Sequence, residues 1–458
     1  MDVSDVARER SSAPSTHPLA DVRRRHGWSY QDLARVIADH ARELGVPMAA
    51  RREKVWRWEH WGVVPEPDSQ RALARALGVP PREIELRPWP RWLPAHGGLP
   101  DGLPWTAEGG RTALVALLDD AGDPCGFPVA EGGVLRDAIK DWDEATWPAQ
   151  AVTAPLSGMV PVAGSGPARV PEQAGAPGAV DAGVLDWLEA GALGLRRLDD
   201  RLGGAAVRDR VAADLRLVCG LLERRQSRPV ERRLLRVGAD LAQLGGWAAT
   251  DTGRHGVAQR HYLTGLRLAH AAGDRGLAVA LWGGLTLQAL FSGHPQDAVD
   301  AAEAAVRAAG GAPPAVRALA ASRLARAHAA LGAAGAFRRA AAEAERRLAA
   351  AENDPGPSWL YWMDGAELAA QNGQSLLDLG EPREAGPLLE AALAAQDPVY
   401  VRDRALYSAR AARARALTGD VDDARVMGRE AARLGRHCGS PRLARELEAL
   451  RPLLGAAR

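Results

Sequence analysis

Arg51, Arg52, Lys54 and Arg57 put four cations into seven residues, at the start of a segment where Val55, Trp58 and Trp61 recur at helical spacing. Cations at the N-terminal end of a helix suit nucleic acid, because a guanidinium can pair side-on with O6 and N7 of guanine or with phosphate oxygens. The same run is also readable as a solvated helix face. Ser29, Tyr30 and Gln31 stand at the start of an earlier helical segment, where free amides and the helix dipole favour a phosphate. Trp56 and Trp61 are open to two readings, stacking on bases or packing.

Residues for enzyme chemistry do not assemble in this way. The two lysines, Lys54 and Lys140, do not follow a glycine, so no phosphate-binding loop of the G-x-x-x-x-G-K-[ST] type exists. Gly164-Ser165-Gly166 lies in a Pro/Gly/Ala stretch with no strand before it. His255, His261 and His270 are not at the i, i+4 spacing that two ligands on one helical face require. Asp199-Asp200, beside Arg196, Arg197 and Arg201, reads as an ion-paired helix face. Cys125, Cys219 and Cys438 lie far apart, without zinc spacing, and fit a reducing compartment as buried thiols. No catalytic residue, metal or cofactor is expected.

Farther along, Trp247, Trp282, Trp359, Trp362 and Tyr407 are expected on the first helices of helical hairpins, the side that lines a concave groove. They would suit a small apolar ligand or an extended peptide, though packing is the simpler reading for any single one. Arg402 and Arg413 share a helix face and could hold a carboxylate, though a solvated face is the simpler reading.

The elements that must position these groups are helical throughout. Residues 1–16 read as a disordered tail. In 17–87, four short helices follow one another, the second opened by a capping box at Ser29 and Asp32 and the last stopped by Gly78. A Trp- and Pro-rich acidic connecting segment spans 88–148, and a flexible linker spans 149–182. From 183 to 458 the pattern repeats: Gly293, Gly332, Gly380 and Gly419 each end an apolar helix and precede another, at intervals of 39, 48 and 39 residues. Hairpins repeating at this length predict an α-solenoid of tetratricopeptide (TPR) type. Glu231–Ala272 is a further unit, with caps at Leu185–Leu222 and Arg442–Leu454. The apolar run Gly276–Gln296 is expected as a buried repeat helix and not a membrane span.

The order Arg23, Gly27, Ser29, Leu33-Ala34, then Val55 and Trp58-Glu59, then Pro65 and Leu73–Val79 resembles the Cro/lambda-repressor-like helix-turn-helix family. With Trp89–Pro94, Leu198–Gly204 and Leu244–Trp247, the chain from 18 to 455 resembles actinobacterial regulators that join such a domain to TPR-like repeats. The resemblance implies an all-α protein, a recognition helix carrying Arg51, Arg52, Lys54 and Arg57, double-stranded DNA as partner, a dimer, and a cytoplasmic location. It also departs from the family: the path from Ala34 to Trp58 covers 24 residues, where the family uses about 13, so the second helix and turn are expected to be longer.

Charge supports a local reading. Residues 17–93 carry 14 basic and 10 acidic side chains, and 94–144 carry 3 and 10, so an acidic segment follows a basic module and is a candidate to mask it. The competing reading is a protein-interaction scaffold whose helix-turn-helix fold never touches DNA.

Overall fold

The computed structural model describes residues 17–77, 79, 81–86, 89–90, 92–93, 103–119, 129, 132–148, 180–354, 356–436 and 440–455. The expected tail, Gly78 and the linker residues 149–179 lie outside them. The described residues form an all-α protein with no strand, and they divide into two compact units.

The first unit contains α1 (Pro18–Arg25), α2 (Tyr30–Glu43), α3 (Arg52–Trp61), α4 (Pro67–Ala76) and α5 (Pro81–Leu86). Four of these are the expected helices; α5 is an addition. The capping box forms as read: Ser29 Oγ accepts from the Asp32 amide at 3.2 Å, and the Asp32 carboxylate accepts from the Ser29 amide at 3.0 Å. Gly45, with φ of 77°, turns the chain out of α2 into an extended stretch ahead of α3. The lengthened path is therefore a 14-residue α2 plus this stretch. Leu33, Ile37, Val55, Trp58 and Leu73 form the core. Trp92 closes it, its indole N–H donating to Gln70 Oε1 at 2.8 Å. The Trp-rich start of the expected connecting segment thus belongs to this core.

Residues 103–118 and 132–148 of that segment group with the repeat unit. There, α6 (Ala107–Asp119) and α7 (Gly133–Glu144) precede α8 (Ala182–Leu202), α9 (Gly204–Leu222), α10 (Arg228–Asp251) and α11 (His255–Ala272). Four hairpins follow: α12 (Arg275–Phe291) with α13 (Pro295–Ala308), α14 (Pro314–Ala330) with α15 (Ala334–Ala350), α16 (Gly365–Asp378) with α17 (Pro382–Ala395), and α18 (Val401–Thr418) with α19 (Val421–Gly435). The last helix is α20 (Pro441–Gly455). The four repeated glycines sit at the hairpin turns with φ of 86°, 73°, 76° and 99°, a conformation that a Cβ disfavours.

Close packing explains the mid-helix glycines. A Cβ on Gly246 or Gly284 would lie 2.5 or 2.4 Å from the ring of Tyr262, so both must be glycine for that ring to be buried between α10 and α12. Gly276–Gln296 resolves into a buried α12 and the start of α13. Among the described residues no helix is long and apolar enough to cross a membrane.

The two ends of the solenoid meet. Arg402 of α18 reaches Asp199 of α8 at 3.3 Å and Asp251 of α10 at 3.4 Å, and Arg442 of α20 reaches Asp251 at 2.9 Å. Helices expected to cap an open groove instead join first turns to last, and the concave face becomes a chamber.

Candidate functional site

On α3, Val55, Trp58 and Glu59 face the core, which leaves Arg51, Arg52, Trp56, Arg57, His60 and Trp61 exposed. The register is fixed by a buried ion pair: Arg23 donates through Nε and Nη2 to the two oxygens of Glu59, at 2.8 and 3.2 Å. Burial opposes the Arg23 charge, but Glu59 outweighs it and holds the guanidinium more firmly protonated. Arg51 and Arg57 have no ion pair among the described residues. Arg52 touches only the neighbouring Glu53, at 3.2 Å on the open surface, and Lys54 reaches Glu66 at 3.4 Å. Such exposed pairs are worth at most about 1 kcal/mol. Trp61 is 66% exposed and meets Trp56 edge-on at 5.2 Å, so both tryptophans lie on the surface.

The α2 group is occupied differently. Ser29 and Asp32 cap each other, and their hydrogen bonds hold the Asp32 carboxyl below its usual range. A carboxylate therefore stands where a phosphate was expected. Tyr30 lies under the Arg23 guanidinium, 4.0 Å from its ring centre, and Gln31 donates to the Ala50 carbonyl at 3.4 Å. These two side chains tie α2 to its neighbours.

The repeat unit holds a cavity of about 280 Å³ on its inner face, and Trp247, Trp359, Trp362 and Tyr407 are among the residues lining it. Trp282 does not. It is fully buried and packs edge-on against Trp142 at 5.7 Å, in a cluster with Trp105, Trp147 and His270 that seats the acidic segment on the repeats. Trp359 and Trp362 are not on a first helix either: Trp359 is in a short 3-10 turn and Trp362 in the turn before α16. Part of the acidic segment's charge is engaged within this unit, where Asp143 meets Arg307 at 2.9 Å.

Charges that the sequence suggested were solvated are buried here. Arg402 is 3% exposed, so it is not on a solvated face, and Arg413 instead approaches Glu446 at 3.9 Å. Asp199 accepts from Arg402 and, at 3.1 Å, from the Trp247 indole. Burial pushes Asp199 up against the pull of Arg402; at Asp251 burial pushes up too, but Arg442 and Arg402 prevail and lower it. Asp200 receives the Tyr361 hydroxyl, yet burial pushes it up to about 6. His261, packed against Gly245, is lowered to about 4 by burial and by nearby Arg254 and Arg260.

The sequence reading missed Arg323, Arg326 and Glu367 of this chamber. A signal was present: between Ala318 and Ala330, Arg323 and Arg326 stand among alanines and leucines, with Ser322 and His328 the other polar residues of the span. Charges there imply polar partners inside. No protein-family model and no curated protein matches this chain.

Proposed function

We propose that this chain is a cytoplasmic, sequence-specific DNA-binding transcriptional regulator, in which α3 enters the major groove and the repeat chamber takes a small ligand that alters DNA affinity. The observation that carries the reading is α3 itself. One stripe is locked inward by Val55, Trp58 and the Arg23–Glu59 pair, and the opposite surface presents Arg51, Arg52 and Arg57 with no buried partner. A helix held rigidly with free guanidinium groups at its leading end suits base-edge and phosphate contacts. A homodimer would read two half-sites related by a two-fold axis.

Selection from a random duplex pool tests this, followed by titration of the winning duplex across salt concentrations. The expected result is an enriched motif and an affinity that falls steeply with salt, with the paired change Arg51→Ala and Arg52→Ala abolishing enrichment. A pool that returns no motif overturns it.

A second reading rests on a specific observation. Trp56, Trp61, Val63 and Val64 are exposed within one short stretch, which suits docking of another protein. A scaffold of this kind would show no steep salt dependence toward any duplex.

A further inference from the structure

Among the described residues six arginines line the chamber, and five of them have a carboxylate partner. Arg196 binds Asp240, Arg326 binds Asp378, Arg402 binds Asp199 and Asp251, Arg410 binds Glu446, and Arg442 binds Asp251. Arg323 is the exception. Its Nη1 donates to the neutral Gln371 Oε1 at 2.8 Å, and its Nε is buried without any acceptor. Glu367, the carboxylate that acts on it most strongly, accepts instead from the Tyr407 hydroxyl and the Gln371 amide.

A buried cation with no directly paired carboxylate costs folding free energy, and proteins normally pair or remove such groups. Burial pulls the Arg323 guanidinium down to about 10. The side-on edge of the group, Nε and Nη2, engages no protein acceptor among the described residues, and it is the edge that takes a carboxylate through two parallel N–H bonds. Beside it stands the Trp362 ring, 5.6 Å away, with Trp247 and Phe291 also in the wall.

We infer that the chamber binds a compact organic anion, a carboxylate on a flat apolar body, with its oxygens on the free edge of Arg323 and its body against the tryptophans. The size argues for a small molecule. About 280 Å³ is at the lower end of small-ligand pockets, and the links from Arg402 and Arg442 to Asp199 and Asp251 close the face along which an extended peptide would lie. The inference deepens the ligand half of the proposed function and rests on that reading for its role, but not for its test.

The test uses the full chain and two measurements that involve no DNA. If Arg323 is held for a ligand and not for folding, Arg323→Met melts higher than the unliganded wild type, by about 3 °C. Arg323→Gln, which keeps a polar group beside Gln371, melts no lower than wild type. Naphthalene-2-carboxylate should raise the wild-type melting temperature and bind at least ten-fold tighter than naphthalene-2-carboxamide or 2-naphthylmethylamine, and that preference should vanish in both variants. Three outcomes overturn the inference: variants that melt lower or fail to fold, carboxylate and amide binding alike, or no binding by any of the three probes. Loss of DNA binding alone would sink the regulator and leave this result standing.

Discussion

On α3 the arginines face water: Arg51 and Arg57 have no ion pair among the described residues, and Arg52 touches only its exposed neighbour Glu53. In the repeat unit Arg402 is 3% exposed, wedged between Asp199 and Asp251. The residue type is the same, and the two settings give it opposite economies. A solvated guanidinium costs folding nothing and is free to exchange water for a phosphate or a base. A buried one has already traded its hydration for carboxylates, and removing it strands them. Stability and binding should therefore separate between the solvated arginines of α3 and the buried, carboxylate-paired ones.

The largest effect is expected at the closure. Arg402→Ala leaves Asp199 and Asp251 buried beside an empty site, and a loss of about 3–5 kcal/mol should appear in urea unfolding. A loss below about 1 kcal/mol would mean that the ends of the solenoid are not held together in this way. Next comes the ion pair that sets the register of α3. Arg23→Ala strands Glu59, 4% exposed, and should cost about 3 kcal/mol in the first unit while weakening DNA binding only through the tilt of α3. Arg51→Ala sharpens the contrast. It should leave unfolding within about 0.5 kcal/mol of wild type but cost about 1–3 kcal/mol in affinity for the selected duplex, measured by anisotropy.

The smallest effect is pH-dependent. The carboxyl of Asp200 stands at about 6 in the folded chain against an ordinary value of 3.8, so the folded state holds its proton more tightly than the unfolded state. Its contribution to stability is complete below about pH 4 and is lost as pH rises through 6. Asp200→Asn, a mimic of the protonated form, should therefore melt slightly above wild type at pH 7.5 and level with it at pH 4. A gain of equal size at both would remove the titration from the account.

How much of this was legible beforehand follows from the range of each signal. The capping box at Ser29, the glycine turns at Gly293, Gly332, Gly380 and Gly419, and the apolar faces of α2 and α4 are local, and a sequence carries them directly. The pairing of Arg402 with Asp199 spans 203 residues, and no local pattern announces it. Trp282 was misjudged because position on a first helix does not specify which side of that helix meets the chamber. Tyr30 and Gln31 stand at the helix terminus where a phosphate was expected, but Arg23 and the Ala50 carbonyl engage them from other segments.

The meeting of the solenoid's ends changes how this unit should come apart. In an open array each repeat answers only to its neighbours, so the terminal hairpins fray first and unfolding spreads inward as a series of partial states. Here α8 and α10 share one charge network with α18 and α20, so neither terminus can fray without exposing buried ions from the other. The array behaves as a ring, and it should unfold as one cooperative body whose outermost helices resist hydrogen exchange as strongly as those in its middle.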